Sequence, residues 1–345
     1  MKTLAAILEK QGEPLTIKEL QIPPLERGQV LVQIAYSGLC HSQLNEMSGA
    51  KGPDPYLPHT LGHEGSGIVC DVGPDVTKVS VGDQVVLSWM KGAGIEAKGA
   101  KYQDGDRQIN SGAISTFLRH AIISENRMIP IPASMPLKEA ALLGCAVPTG
   151  AGAVFYEMKL ERGASLAIFG LGGVGLSALI AAHYSGAHPI FAVDIHEEKL
   201  QMAGRLGATH LINAAHANPV QEILQATKGE GVDFSMEAAG KRQAMQGAYE
   251  SVKPSNGVCV LAGNLHKGEK MEIDPFDLIR GKRILGTAGG KSKIDQDVQQ
   301  YVRLFSESRF PISHLITDEV ELFQINELCH KMRLGMIGRG LIRFV

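Results

Sequence analysis

Two groups of residues in this chain have types and spacings that could do chemistry. The first is Gly170-Leu-Gly-Gly-Val-Gly175, a G-x-G-x-x-G string. Gly170 permits a tight turn, Gly172 lets the backbone approach a pyrophosphate, and Gly175 lets a helix pack close to a strand. The string follows Ser165–Phe169, predicted as a buried strand, and opens Gly175–Ser185, predicted as a helix. Such a helix start offers free N–H groups and a positive dipole end to phosphate. A second predicted strand, Pro189–Val193, leads to Asp194, nineteen residues past Gly175. That is close to the ~20 expected for the acidic residue on the ribose of a dinucleotide. A carboxylate there would repel a 2′-phosphate, and Ile195-His196-Glu197-Glu198 brings no arginine to reverse this, so NAD is expected over NADP.

The second group is Cys40, His63 and Cys145, separated by 22 and 81 residues. These gaps are too long for a zinc finger. They suit a catalytic zinc, whose three protein ligands leave a fourth tetrahedral position open, and two thiolates with an imidazole match that metal. On spacing alone the ordinary alternative stands ahead: cysteine packs as a small hydrophobe, and twelve histidines make chance neighbours common.

These residues need scaffolds. The first 150 residues read as short strands, among them Val30–Ala35, Gly67–Val72 and Gln84–Leu87, punctuated by Gly/Pro turns. That pattern predicts a partly closed antiparallel barrel. From about Thr149, strands alternate with helical stretches. Strands are predicted at Val232–Met236, Val258–Ala262 and Arg283–Gly286, and a helix at Val220–Thr227. Alternation of this kind means βαβ units and a parallel sheet. Helical patterns return at Asp295–Ser306 and Ile325–Arg333, and the strand-like Gly340–Val345 could rejoin the β-rich part. Residues 1–148 and 290–345 are therefore expected to form one domain, and 149–289 a doubly wound α/β domain.

Composition excludes other classes. The net charge is −2, with 20% charged and 44% hydrophobic residues, so no basic field for nucleic acid or anionic membrane is expected. Five scattered cysteines do not make a disulfide scaffold, and a cytoplasmic enzyme is expected. The apolar stretch near Met1 is too short for a secretory signal. The uncharged Ala164–Ala182 contains the glycine string and reads as strand, turn and helix, not as a membrane span.

Taken with their surroundings, the two groups say more. Ser37-Gly-Leu-Cys-His-Ser42, Leu61-Gly-His-Glu-Gly-Ser-Gly67, Val81-Gly-Asp-Gln-Val-Val86, Gly144-Cys-Ala-Val-Pro-Thr-Gly150 and Gly170–Gly175 occur in this order along the chain. In this the chain resembles the zinc-dependent medium-chain alcohol dehydrogenases, from the N-terminus to the last strand. The resemblance implies a GroES-like catalytic domain plus a Rossmann coenzyme domain. It implies Cys40, His63 and Cys145 as ligands of a catalytic zinc, with Glu64 behind it. Ser42 would hydrogen-bond the substrate hydroxyl. Thr149 and Val174 would pack beside the nicotinamide, Asp194 and Lys199 would meet the adenosine ribose, and His41 and Arg339 would face the pyrophosphate. Trp89, His59 and Asn45 would line the substrate pocket. The implied reaction moves a hydride between NAD(H) and an alcohol/carbonyl pair, with zinc polarising the substrate oxygen. A homodimer or homotetramer is implied as the assembly.

Three departures from the family pattern stand out. The stretch Lys91–Gly112 has no cysteine where many members hold a structural zinc with four, so one zinc per chain is expected. Its charged residues Lys91, Lys98, Lys101, Asp104, Asp106 and Arg107 are expected to form a solvated face. Gln43 stands where an aspartate usually accepts a hydrogen bond from the zinc-bound histidine; the amide is expected to accept that bond without the charge. Asn45 replaces a proton-relay histidine. Two competing readings follow: a zinc-dependent reductase of conjugated enals, tested by products from an enal and NADH, and a non-catalytic NAD-binding protein, tested by Cys40→Ser.

Overall fold

The central strand of the N-terminal part, Gln29–Gly38, is buried along nearly its whole length because three other strands pair with it. The computed structural model describes all residues, Met1–Val345. They divide into two units, Met1–Cys145 with Lys293–Ser308 and Ile316–Val345, and Ala146–Ser292 with Arg309–Leu315.

In the first unit, β1 (Lys2–Leu8), β2 (Thr16–Gln21), β4 (His59–Thr60), β7 (Lys101–Asp104) and β8 (Arg107–Asn110) close a barrel in the order β1-β2-β7-β8-β4. A second sheet is built on β3 (Gln29–Gly38), which pairs antiparallel with β5 (Glu64–Val72) and β9 (His120–Ser124). Beyond β5 lie β6 (Gln84–Ser88) and β10 (Met128–Pro130). Apolar side chains from both sheets, including Ile7, Val30, Val32, Ile34, Val85, Tyr102 and Leu118, form one buried core.

The cysteine-free stretch is ordered by charge. Glu125, 1% exposed, accepts the backbone N–H groups of Thr77 (2.6 Å), Lys78 (2.8 Å) and Ile95 (2.7 Å). Of the six charged residues singled out in Lys91–Gly112, all but Asp104 are exposed, as a solvated face requires, and three of them also make ion pairs. Asp104 pairs with Lys18 at 2.7 Å, Arg107 with Glu9 at 2.6 Å, and Lys91 with Glu96 at 2.6 Å. The first two tie the β7–β8 hairpin to the β1–β2 hairpin.

The second unit holds six parallel strands: β11 (Leu166–Phe169), β12 (Ile190–Asp194), β13 (His210–Asn213), β14 (Phe234–Glu237), β15 (Val258–Leu261) and β16 (Arg283–Gly286). Their order is β13-β12-β11-β14-β15-β16, in which the sequence of strand addition switches sides between β11 and β14. That is the doubly wound dinucleotide-binding order, with its ligand crevice at the strand C-termini where the order switches. The central strands are continuous apolar runs because a parallel sheet is covered on both faces. Ala164–Ala182 is strand, turn and helix, as its glycines imply. The helix Gly173–Ser185 is buried on almost all sides and ends at Gly186 with φ +79°.

The chain returns to the first unit with the helix Ile294–Ser306, β17 (Ile316–Glu321), the helix Ile325–Arg333 and β18 (Arg339–Arg343). The last strand pairs antiparallel with β3, so the C-terminal strand does rejoin the β-rich sheet. No single helix is long and apolar enough to cross a membrane.

Candidate metal centre and coenzyme loop

Cys40, His63 and Cys145 lie far apart in sequence, yet their ligand atoms all fall within 4.8 Å of one another. Each is delivered by an element end. Cys40 follows β3 and precedes the helix His41–Met47. His63 directly precedes β5, on a corner made by Gly62 at φ +95°. A β-carbon at Gly62 would lie 2.8 Å from the backbone nitrogens of Thr116 and Phe117, so this corner requires glycine. The Thr116 hydroxyl donates to the carbonyl of Glu64 at 3.1 Å and shares a 2.6 Å bond with Ser37, which pins β5 to β3 beside the corner. Cys145 ends the turn Ala141–Gly144, where Gly144 passes so close to the Leu87 carbonyl that any β-carbon would overlap it.

The surroundings are charged and dry. Glu64 is 0% exposed and Arg339 3%, and the guanidinium is ion-paired to the carboxylate. Burial raises the Glu64 carboxyl, opposed by Arg339. Burial works against the Arg339 charge, but Glu64, Cys40 and Cys145 outweigh it and hold the guanidinium charged. A hydrogen bond from Cys145, with Arg339 and His63 nearby, holds the Cys40 thiol well below its ordinary range. The same bond and burial push the Cys145 thiol up. Two thiols and an imidazole beside a buried cation fit the S₂N donor set that takes zinc with a position left open.

His63 Nε2 lies 3.2 Å from Cys145 Sγ, while its Nδ1 faces away, toward Gln43 Nε2 at 2.8 Å. The Gln43 carbonyl is turned elsewhere, accepting the Cys40 backbone N–H at 2.8 Å. The amide thus donates to His63 where it was expected to accept. Ser42 Oγ lies 3.5 Å from His63 Nδ1.

Beside this centre a cavity of about 360 Å³ is lined by Gln43, Glu46, His59, His63 and Asn110, among others. His59 Nε2 lies 2.7 Å from Asp54 Oδ2, and its Nδ1 faces the Thr60 carbonyl at 3.0 Å. Of the three pocket residues expected from sequence, His59 lines this cavity; Asn45 and Trp89 do not, and Trp89 is 37% exposed. Asp54, the partner of His59, was missed, and the segment Gly52-Pro-Asp-Pro55 carries no signal that would have marked it.

In the second unit the glycine string makes the turn between β11 and its helix. Gly170 has φ +96°, and a β-carbon there would sit 2.6 Å from the Ala239 nitrogen. A β-carbon at Gly175 would overlap the Gly170 carbonyl, whereas Gly172 has open space before it. That gap at the helix start suits a phosphate approaching the backbone. Asp194, at the end of β12, accepts from the backbone N–H of Leu171 (2.7 Å) and of His196 (3.0 Å), so its carboxylate is fixed beside the turn. Burial pushes the Lys199 amine down, partly offset by Asp194. Thr149 and Val174 are half-buried in this unit, while His41 is exposed in the first. Arg339, expected at the pyrophosphate, also pairs with Glu64. Glu237, buried at the end of β14, was not singled out from sequence; it holds the Ala239 and Gly240 N–H groups that close the switch point.

A GroES-like barrel unit carrying an S₂N donor set, together with a Rossmann unit, defines the class of zinc-binding dehydrogenases. The model of the alcohol dehydrogenase GroES-like domain matches residues 26–133, and that of the zinc-binding dehydrogenase matches residues 173–307. The chain is 32% identical over its full length, and the full length of the relative, to an S-(hydroxymethyl)glutathione dehydrogenase of Synechocystis sp.. The one from Paracoccus denitrificans is 31% identical, again over all of both chains. Among solved structures, benzyl alcohol dehydrogenase from Acinetobacter calcoaceticus superposes with a TM-score of 0.90 at 30% identity, covering all of both chains. A zinc-binding alcohol dehydrogenase domain protein from Burkholderia ambifaria gives 0.90 at 32%, covering 99% of each. The chain belongs to the zinc-dependent medium-chain alcohol dehydrogenase family. It is an oxidoreductase of alcohols, and its substrate is a small molecule.

Proposed function

We propose that this protein is an NAD-dependent dehydrogenase of a polar alcohol, holding one catalytic zinc per chain on Cys40, His63 and Cys145. The convergence of those three ligand atoms within 4.8 Å, beside a cavity that receives the polar side chains of Gln43, His59 and Asn110, carries the reading. Zinc, when bound, supplies a Lewis acid for the substrate oxygen, and NAD supplies the hydride acceptor. The chain's own groups do the rest. Ser42 is assigned to hydrogen-bond the substrate oxygen and to pass the proton on to water through the coenzyme ribose or a neighbouring group, since Asn45 cannot relay it. Arg339 keeps Glu64 anchored behind the ligands, so the carboxylate does not compete for the open position. His59, fixed by Asp54, and Asn110 present polar groups to the cavity, which favours a polyol or another hydroxyl-rich substrate.

In the coenzyme unit, Gly170, Gly172 and Gly175 form the phosphate turn, and Asp194 accepts the ribose hydroxyls, with Lys199 beside it. Thr149 and Val174 are assigned to the nicotinamide, and His41 and Arg339 to the pyrophosphate. The absence of cysteine from Lys91–Gly112 supports a single zinc. The exposed Phe276, Leu278 and Ile279 before the edge strand β16 support assembly of this unit into a homodimer or homotetramer.

A panel of primary, secondary, aromatic and polyol alcohols with NAD and NADP, read as reduced nicotinamide, tests the proposal. Turnover of a polyol with NAD is expected; equal or better use of NADP would contradict the coenzyme assignment.

A further inference from the structure

We infer that zinc loading in this chain costs Gln43 one of its two hydrogen bonds, at Cys40 or at His63, so that the Gln43 amide lowers zinc affinity. The inference rests on the zinc reading of Cys40, His63 and Cys145. It starts from the polarity of two hydrogen bonds. The Gln43 carbonyl accepts the Cys40 N–H, which leaves only the NH₂ end to meet His63 Nδ1. An NH₂ group can only donate, so Nδ1 is the unprotonated nitrogen and the ring proton sits on Nε2, facing Cys145 Sγ. Nε2 is also the nitrogen on the side of the thiols. A protonated Nε2 cannot ligate a metal.

Ligation through Nε2 therefore moves the ring proton to Nδ1, with no net change in the charge of His63. The Nδ1–H would then point at the Gln43 NH₂, donor against donor at 2.8 Å. Turning the amide over gives His63 its acceptor but sets the NH₂ against the Cys40 N–H. One carbonyl oxygen cannot serve both N–H groups in these directions, whereas a carboxylate has an oxygen for each. Gln43 is 1% exposed, so water does not readily make up the lost bond. Ser42 Oγ, at 3.5 Å from Nδ1, is too far to replace it at full strength. Loading must thus give up one hydrogen bond at Cys40 or His63, and Gln43→Glu, equal in length, removes that conflict.

Two measurements test this. The ring tautomer of His63 is read by nitrogen NMR on zinc-stripped and zinc-loaded protein, its signal identified by its loss in His63→Asn. Zinc affinity is read by competition with a chromophoric chelator in wild type and Gln43→Glu. The proton is expected on Nε2 in stripped wild type and on Nδ1 after loading. In stripped Gln43→Glu it is expected on Nδ1 already, and zinc should bind about 10–100-fold tighter, the range over which such supporting partners act. Stripped wild type with the proton on Nδ1, or a folded Gln43→Glu variant with unchanged or weaker affinity, would overturn the inference. If Gln43→Glu does not fold, the wild-type tautomer decides alone. Failure of wild type to bind zinc at all would instead overturn the zinc reading itself.

Discussion

Arg339, in the last strand, sets its guanidinium on the carboxylate of Glu64, the residue that follows His63. The pair fixes the C-terminal strand to the floor of the candidate zinc centre, 275 positions away in sequence. Both groups are almost fully buried. Removing one partner therefore leaves an uncompensated charge, which costs about 3–5 kcal/mol. Arg339→Met should lose stability on that scale in urea unfolding, and adding Glu64→Gln should recover much of the loss. A single variant within about 0.5 kcal/mol of wild type would show that the pair is not formed.

Gly38 lies directly under the same carboxylate. A β-carbon there would overlap Glu64 Oε1. Gly38→Ala is expected to displace Glu64 from Arg339 and cost about 1–3 kcal/mol, as overpacking does. A lower melting temperature together with weaker zinc retention is the expected result; a wild-type melting temperature would remove Gly38 from the account.

Glu125 organises the loop that lacks the structural cysteines. Burial alone would raise its carboxyl, but the N–H groups of Ile95, Thr77 and Lys78 hold it below the ordinary range. A carboxyl lowered on folding contributes stability above its unfolded value and loses it as pH falls through the folded value. Glu125→Gln should thus cost about 1–3 kcal/mol at neutral pH. The gap to wild type should narrow below about pH 4.5, near the ordinary glutamate value. A gap independent of pH would show that the charge is not what holds the loop.

Asp194 bonds two backbone N–H groups while keeping lone pairs for a ribose. Hydrogen bonds to a charged group are worth about 1.5–3 kcal/mol. Asp194→Ala should weaken NADH binding about 10–100-fold in a fluorescence titration, and should narrow the preference over NADPH. An unchanged dissociation constant would contradict the ribose assignment.

Much of this was legible in the sequence, for physical reasons. Parallel strands buried on both faces are continuous apolar runs, and the glycine turn between Phe169 and Gly173 needs residues that only close backbone contact explains. The clustering of Cys40, His63 and Cys145 was legible through the strings around them, not through spacing. The Arg339–Glu64 pair was not, because long-range pairing of two charges leaves no local pattern. Nor was the direction of the Gln43 amide, since the sequence names the side chain but not which end meets His63. The helices Glu197–Arg205 and Arg242–Glu250 were not predicted either, although each carries a one-sided apolar face.

Whether Cys40, His63 and Cys145 hold the metal that makes this chain a dehydrogenase is decided by Cys40→Ser. Zinc content and NAD reduction are measured together on the folded variant, with the most active alcohol as substrate. About one zinc per wild-type chain is expected, with both zinc and turnover lost in the variant. A folded Cys40→Ser protein that keeps its turnover would contradict this.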